Sequence, residues 1–313
     1  MTERFFSAKR LLAVLVVALS AGISAIAGDS NSFNVASYNL RQLNEGDTQA
    51  GNGWAVREPV VAKLIRFHEF DIFGTQELFK SQLDTLLGDL PGYDYIGVAR
   101  DDGKQAGEHS AIFYNKDKFD MLDHGDFWLS ETPEKPGLGW DAVCIRICTW
   151  GKFRQKSTGK EFLFFNLHMD HIGKTARVES AKLIKSKILE MNSLPTILTG
   201  DFNVDQHSPS YATIIEGGML NDTHDRAPLV YQTNGTFNDY QTDGYTDQRI
   251  VHIFVSPSIE VSKYGVLTDT YRTPRPDSEA RKSGAAPQEV GIHNYVARTP
   301  SDHFPVVATV KLP

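Results

Sequence analysis

The sequence predicts an α/β fold in one domain, and three observations support this prediction. Strand-like and helix-like segments alternate after residue 27, and no linker divides the chain. The chain has 313 residues, of which 41% are hydrophobic and 23% are charged, as is ordinary for a globular protein with a large core. A strand–helix–strand pattern also occurs twice, with the tetrapeptide AKLI in both helices. We therefore expect two α/β layers that pack together and share a cleft.

The N-terminus has the features of a cleaved secretory signal. Lys9 and Arg10 precede an apolar run that ends in Ala-Ile-Ala at residues 25–27. An uncleaved membrane anchor is the alternative, because the run is near the shortest segment that spans about 30 Å of hydrocarbon. We favour residues 1–27 as a signal peptide and residues 28–313 as one secreted or periplasmic domain. No cysteine follows the cleavage site, so a lipoprotein is not expected, and no later segment is apolar enough to span a membrane.

The elements follow in order from the hydrophobic pattern. The first copy of the repeat has a strand over 32–41, a helix over 58–70 with Pro59 near its first turn, and a buried strand over 71–77. A helix around 78–87 follows. The later strands are expected over 93–100, 109–115, 142–153, 160–170, 195–203, 249–257 and 304–312, with a helix over Thr175–Met191. Residues 269–294 are rich in Pro, Ser, Gly and charge, which predicts a long exposed loop.

Polar side chains end corresponding strands in the two copies of the repeat. Asn39 and Glu77 are 38 positions apart, and Asn166 and Asp201 are 35 positions apart. Two packed layers that meet at one cleft would bring these four residues together. The matched polar ends are harder to attribute to chance than the shared tetrapeptide.

The segment TGDFN ends an apolar run in Asp201 and Asn203. Side chains two positions apart in a strand point to the same face, so both would reach the same metal ion, water or phosphate oxygen. A simple turn is the alternative, because Asp and Asn favour turns, and on this stretch alone the turn is favoured. The matched strand ends shift the interpretation towards a site.

Charge and cysteine content exclude some classes of function. The net charge of −7 disfavours a broad nucleic-acid-binding surface, although a nuclease that uses a metal ion is not excluded. Cys144 and Cys148 would lie about 13 Å apart on one strand face, which is too far for a disulfide. Two cysteines also do not form a zinc site.

Six short motifs resemble those of a known superfamily. They are VASYNLR, FGTQE, GEHSAIFYN, FFNLHMDHIG, LTGDFN and TPSDHFPV, in this order from Val35 to the C-terminus. The set is similar to the endonuclease/exonuclease/phosphatase superfamily, which includes DNase I-like nucleases, sphingomyelinases, inositol polyphosphate 5-phosphatases and deadenylases. The resemblance implies a four-layer α/β/β/α sandwich in which two mixed β-sheets pack face to face between outer helices. It also implies hydrolysis of phosphoester bonds with a divalent metal ion, Mg²⁺ first and Mn²⁺ as the alternative.

The resemblance also implies the residues that hold the metal and activate water. Glu77, Asn39 and Asp302 would form the metal site, since Mg²⁺ prefers oxygen ligands. For Glu77 the alternative is an acid that stabilises a helix N-terminus. His303 would accept the proton of the attacking water, as an imidazole that titrates near neutral pH can do. Whether His303 or His168 acts as the acid stays open.

Further polar residues would contact the phosphate. Asp201 and Asn203 would orient the nucleophile and hold a phosphate oxygen. His168 would bind a phosphate oxygen or assist the leaving group, and Asn166 would add a neutral donor. Glu108 would pair with His168, fix its tautomer and raise its basicity.

One position departs from the family pattern. In RIVHIFVS, Val251 stands where the family has an aspartate that supports the catalytic histidine. His303 should then be a weaker base unless Asp243 or Asp247, on the preceding loop, reaches it. We expect Val251→Asp to raise activity or change its pH profile. Partial loss of activity in the natural chain also stays open.

Other residues allow two interpretations each. Asp170 and His171 continue one motif, yet either could cap the next helix. Arg146 could lie at the floor of the cleft, and Arg41 is equally consistent with a substrate contact or a solvated surface charge. The loops 128–142 and 269–294 would form the rim.

We expect a monomeric, secreted, Mg²⁺-dependent phosphoesterase that acts on a small, lipid-derived or sugar phosphate ester. The acidic net charge and the lack of Lys/Arg clusters near the motifs predict no strong nucleic-acid patch. A secreted DNase I-like endonuclease is the alternative. A degenerate, non-catalytic binding protein is the second alternative.

Overall fold

Two mixed β-sheets form the centre of the computed structural model, which describes residues 31–191, 194–275, 279–281, 284 and 287–313. The first sheet has the order β10 (Val230–Tyr231), β12 (Glu260–Val266), β17 (Val306–Lys311), β1 (Ser32–Asn39), β2 (Ile72–Gln76), β4 (Ile112–Asn115) and β3 (Tyr93–Ile96). The second has the order β5 (Phe119–Trp128), β6 (Ile147–Gln155), β7 (Glu161–His168), β8 (Thr196–Asp201), β11 (Val251–Val255) and β9 (Asn221–Asp222). The predicted signal peptide, 1–27, lies outside the described residues and stays a prediction.

Helices cover the outer faces of both sheets. They are α1 (Glu45–Gln49), α2 (Trp54–Phe67), α3 (Lys80–Asp89), α4 (Lys174–Glu190), α5 (Pro209–Ile215) and α6 (Thr223–Arg226). Helix α2 begins earlier than the sequence pattern predicts, so Pro59 lies inside the helix and not in its first turn. Within the described ranges, no helix is long and apolar enough to cross a membrane.

Three apolar clusters hold the four layers together. The central cluster lies between the sheets and includes Val35 of β1 and Phe164 of β7. The neighbouring residues Ala36 and Phe165 point the other way, towards α2–α3 and α4–α5 respectively. Alternate residues of a strand therefore fill different clusters, as the two-residue period requires. This arrangement confirms the four-layer α/β/β/α sandwich.

The two copies of the repeat are parallel βαβ units. Strand β1 pairs with β2 after the crossover through α2, and β7 pairs with β8 after the crossover through α4. The register places Asn39 opposite Gln76, and His168 opposite Asp201. Polar residues therefore lie at the carboxyl edges of both units, as expected.

Other parts of the chain differ from the sequence prediction. Four short strands, β13 (Tyr271–Thr273), β14 (Ala280–Arg281), β15 (Ile292–His293) and β16 (Val296–Arg298), occur where the pattern predicted a loop and just after it. Strand β6 begins at Ile147, so Cys144 precedes the strand. Both cysteines are free thiols, which confirms that they form no disulfide.

Candidate active site

A cavity of about 450 Å³ opens where the carboxyl edges of the two βαβ units meet. Most of the predicted site residues line this cavity: Glu77, Glu108, His168, Asp201, Asn203, Asp302 and His303. Asn39 and Asn166 do not line it and are fully buried behind it. The fold therefore brings together residues that are more than 200 positions apart in the sequence.

Asn39 connects the acids of the two sheets. Its amide nitrogen donates to Glu77 Oε1 and to Asp201 Oδ2, both at 2.9 Å. Its amide oxygen accepts the backbone N–H of Arg41 at 3.0 Å. Asn39 was expected to be a metal ligand. Its hydrogen bonds position Glu77 and Asp201, and its role as a metal ligand stays a prediction.

The carboxylates of Glu77 and Asp302 fit a hard divalent cation. Both line the cavity, and the backbone N–H of Gln42 holds Glu77 Oε2 at 3.2 Å. Burial, and next the charges of neighbours including Glu77, raise the pKa of Asp302 even though His303 and Arg41 oppose the shift. A cation between the two acids would relieve this repulsion. Arg41 Nη1 lies 3.5 Å from Asp302 Oδ2, so Asp302 would share its charge between this guanidinium and a cation, and Glu77 would be the main ligand.

His168 and Asn203 form a hydrogen-bonded pair beside Asp201. The Asn203 amide lies 2.9 Å from His168 Nε2 and also donates to the Met169 carbonyl at 2.9 Å. If the amide donates to Nε2, the proton of the neutral ring is on Nδ1. Burial, and next the charges of Arg146 and Arg100, hold the pKa of His168 well below its usual range. This imidazole is therefore neutral at neutral pH.

Glu108 does not hydrogen-bond to His168 as expected. Its Oε2 lies 3.9 Å from His168 Nδ1 but 2.6 Å from Arg100 Nη1. Glu108 thus lies beside His168 as expected, but its hydrogen bond goes to Arg100 and not to the imidazole. Burial raises the pKa of Glu108 to about 7, although Arg100 and Arg146 act in the opposite direction.

His303 contacts Asp201 on one side only. Its Nε2 lies 3.6 Å from Asp201 Oδ2, while its buried Nδ1 has no hydrogen-bond partner among the described residues. Val251 is fully buried in the central apolar cluster. Asp243 and Asp247 are exposed and do not line the cavity, so neither replaces the missing acid. The acid that Val251 replaces is thus missing among the described residues, and the Nδ1 atom of His303 has no hydrogen-bond partner there.

Asn166 was expected to bind substrate, and this expectation is wrong in the observed geometry. Its amide nitrogen donates to the carbonyls of Thr75 and Ala111 at 2.9 and 3.0 Å. Its oxygen accepts from Gln76 at 2.7 Å and from Thr199 at 3.1 Å. All of its hydrogen-bonding capacity joins the two sheets, and none remains for a phosphate.

Four non-glycine residues that line the cavity have left-handed backbone conformations. They are Arg41 (φ 57°), Glu77 (φ 72°), Asn203 (φ 51°) and Asp239 (φ 51°). Such conformations are costly for residues with a Cβ and often occur at functional sites. At Glu77 the turn directs the carboxylate towards the metal-binding edge directly after β2 ends.

Eight further residues line the cavity, and their roles were not predicted from the sequence or stayed undecided: Arg41, Gln42, Arg100, Cys144, Arg146, His171, Phe237 and Asp239. The Phe237 ring contacts the His303 ring edge to face, with centroids 5.0 Å apart. No motif marked Arg100 or Phe237, because both lie in irregular segments. Asp170 caps the loop before α4, since its carboxylate accepts the backbone N–H of Ile172 and Gly173.

A second group of possible metal ligands lies beside the cavity. Cys144, Asp170 and His171 place one ligand atom each within 4.8 Å of the others, and no other such trio occurs in the described chain. However, Arg146 lies 3.1 Å from His171 Nδ1 and 3.7 Å from Asp170 Oδ2. A guanidinium in this position opposes a cation, so the trio does not fit a metal ion.

Comparison with known proteins finds a matching family and similar solved structures for this chain. The model of the Endonuclease/Exonuclease/phosphatase family matches residues 32–303. A solved protein of that family from Bacteroides thetaiotaomicron is 56% identical, with a TM-score of 0.84 over 90% of this chain and 98% of that chain. A mannosyl-6-phosphatase from Bacteroides thetaiotaomicron is also 56% identical, with a TM-score of 0.82 over 89% of this chain and 99% of that chain.

A more distant similarity is found to Nocturnin proteins. Nocturnin from Drosophila melanogaster is 25% identical over 207 residues, covering 60% of this chain and 30% of Nocturnin. The catalytic domain of human Nocturnin shares 15% identity with a TM-score of 0.63, which shows a common fold only.

Proposed function

The chain belongs to the endonuclease/exonuclease/phosphatase family, and we propose that it hydrolyses a phosphate ester of a sugar with Mg²⁺. Members of this family are phosphoesterases and nucleases that generally use divalent metal ions, so the chain is a hydrolase of phosphoester bonds. The sugar phosphate substrate is supported by the likeness to a mannosyl-6-phosphatase across 89% of this chain.

One observation carries the proposal: acids from both sheets and two imidazoles face the same cavity of about 450 Å³. This volume is typical of sites for small molecules and suits a sugar phosphate better than a nucleic-acid duplex. The net charge of −7 also disfavours a nucleic-acid substrate.

The residues divide the chemistry between them. Glu77 and Asp302 would hold the divalent ion, which neutralises phosphate charge and lowers the pKa of bound water. Asp201 lies 3.6 Å from His303 Nε2 and would orient the water whose proton this imidazole accepts. Asn203 would orient His168, whose neutral ring would face the phosphate.

The proposal is tested with mannose 6-phosphate as substrate and Glu77→Gln as the variant. We expect kcat/KM with Mg²⁺ to fall about 1000-fold, because the main ligand loses its charge. Glu69→Gln is the matched control, since Glu69 is also a left-handed glutamate (φ 51°) but is exposed and outside the cavity. Full activity of Glu77→Gln, or of wild type in chelator, would overturn the proposal, as would faster cleavage of plasmid DNA or RNA.

We also propose that the protein is monomeric and acts outside the cytoplasm. The basic start and apolar run before residue 28 support export. Sequencing of the mature protein should find Gly28 as its first residue, and light scattering should give the mass of one chain. A mature protein that still starts at Met1 would contradict export by cleavage.

A further inference from the structure

Two guanidinium groups face the cavity and have no task in the hydrolysis proposed above. Arg146 is 5% exposed, and Arg100 is also largely buried. The Nε atoms of both are buried without a hydrogen-bond partner in the described chain. The carboxylates beside these two Nε atoms belong to Asp170, near Arg146, and to Asp101, near Arg100. Each lies 3.7 Å from the Nε atom, beyond hydrogen-bond range. A buried donor without a partner costs about 1–3 kcal/mol, so these donors indicate a ligand.

Both guanidinium groups line the cavity with His168, and Arg100 lies on the Nδ1 side of this ring. The Nε2 side of this ring faces Asp201 at 3.7 Å, whereas the Nδ1 side faces Glu108 at 3.9 Å. Arg100 binds that same Glu108 oxygen at 2.6 Å, and both arginines depress the pKa of His168. The cavity thus has an acidic side, which suits the metal, and a basic side across the imidazole.

The charge on the basic side is not fully cancelled. Glu108, whose pKa is near 7, carries only part of a negative charge at neutral pH. Asp170 is occupied by four backbone N–H groups, from Val143, Cys144, Ile172 and Gly173. These N–H groups keep Asp170 charged, so it offsets part of the charge of Arg146, whereas the charge of Arg100 that Glu108 leaves uncancelled faces the cavity.

The chemistry of phosphate esters decides which anion fits. Near neutral pH a phosphate monoester carries a charge of about −1.5 to −2, spread over three terminal oxygens. A diester carries one charge on two such oxygens. A metal ion held by the acids would contact oxygens from the acidic side. A planar guanidinium with several donors suits a remaining oxygen from the basic side.

We propose that Arg146, assisted by Arg100, binds the terminal oxygens of the phosphate and makes the enzyme selective for phosphate monoesters over diesters. This inference rests on the proposed function and deepens it, because it assigns the class of ester that the same cavity accepts.

The test compares two synthetic esters in the Arg146→Met variant with Mg²⁺ present. The kcat/KM for 4-nitrophenyl phosphate should fall about 100-fold, and at least tenfold more than that for bis(4-nitrophenyl) phosphate. Arg146→Lys keeps the charge without the planar donors and should recover part of the monoester activity. Arg154→Met is the matched control, because Arg154 lies on the adjoining strand β6, is only partly buried, pairs with Glu161 and does not line the cavity; it should leave both rates unchanged.

A titration with inorganic phosphate gives a readout that does not depend on turnover. Its Kd, measured by calorimetry with Mg²⁺ present, should rise about tenfold or more in Arg146→Met. An equal fall for both esters, or an unchanged Kd for phosphate, would overturn the inference. If wild type cleaved neither ester nor mannose 6-phosphate, the proposed function would fail, and the phosphate Kd would still decide the role of Arg146.

Discussion

Two buried imidazoles lie within 4 Å of Asp201, and each has one ring nitrogen without a hydrogen-bond partner in the described structure. For His303 the reason is the apolar neighbour. Thr236 accepts the backbone N–H of Val251 at 3.0 Å and, through its carbonyl, that of Phe304 at 2.8 Å. Thr236 thus connects Val251 to the segment in which Phe237 pairs with His303. A carboxylate at position 251 tests whether an acid from this strand reaches the unpaired Nδ1.

We predict that Val251→Asp moves the acidic limb of the kcat/KM profile to higher pH by about one unit and raises the plateau rate several-fold. A carboxylate stabilises the imidazolium and so raises the pKa of His303, which makes it a stronger base. Val251→Asn is the control of equal shape, because an amide accepts a hydrogen bond but carries no charge. Identical pH profiles for the Asp and Asn variants would contradict this explanation.

Glu108 provides a second prediction at the level of one residue. Burial raises the pKa of Glu108 from 4.5 to about 7, so the folded protein binds this proton more tightly than the unfolded chain. The stability contributed by the protonated acid is complete below pH 4.5 and is lost as pH rises through about 7. Over this window the free energy of unfolding of wild type should fall by up to about 3 kcal/mol relative to Glu108→Gln.

Urea unfolding at several pH values, with chelator present, measures this difference. Glu69→Gln, which changes an exposed acid, should follow the wild-type curve. A constant difference between wild type and Glu108→Gln from pH 4.5 to 7 would show that Glu108 is already ionised throughout, held by Arg100.

Helix α2 positions two active-site loops through one buried arginine. Arg57 is 1% exposed and donates to the carbonyls of Leu40 and Pro300, both at 2.9 Å, and of Asn52 at 2.6 Å. Leu40 follows Asn39, and Pro300 precedes the segment with Asp302 and His303. The helix thus holds the N-terminal and C-terminal parts of the metal site at a fixed distance.

Arg57→Met should lower the free energy of unfolding by about 2–4 kcal/mol, because three buried carbonyls lose their donor. We also expect kcat to fall about tenfold, since the loop that follows Asn39 and the loop that carries Asp302 and His303 are no longer held together. Arg66→Met on the same helix is the control, because Arg66 is exposed. Equal urea midpoints and rates for the two variants would show that Arg57 has no such role.

At the scale of the whole molecule, the acids at the junction of the two sheets oppose folding until a cation is bound. We predict that saturating Mg²⁺ raises the unfolding temperature by about 5 °C, which corresponds to about 2.7 kcal/mol at a concentration 100 times the Kd. Asp302→Asn should lose most of this gain. Calorimetry with KCl at equal ionic strength is the control. A shift of the same size in KCl would show screening and not binding.

The sequence predicted the two βαβ units and the polar strand ends, because both follow from local patterns that survive in the fold. It assigned Asn166 to substrate binding. The sequence pattern of an amide at a strand end does not depend on whether the side chain faces a substrate or another sheet. Gly74 shows what decides the matter: a Cβ there would collide with Asn166 and Thr199, so the sheets approach closely at this point. Such long-range contacts leave no local pattern. For the same reason the sequence did not reveal that Glu108 would accept a hydrogen bond from Arg100 and not from His168.

The pairing of β1 with β17 has a consequence for how the protein is presented to its surroundings. Ser32 lies opposite Lys311 at the end of the sheet that is remote from Asn39, about 23 Å along the strand. Any tether joined ahead of residue 31 would therefore attach at the pole opposite the cavity. A protein held by that pole to a membrane or a cell wall would turn its opening towards the medium, where dissolved sugar phosphates could enter freely.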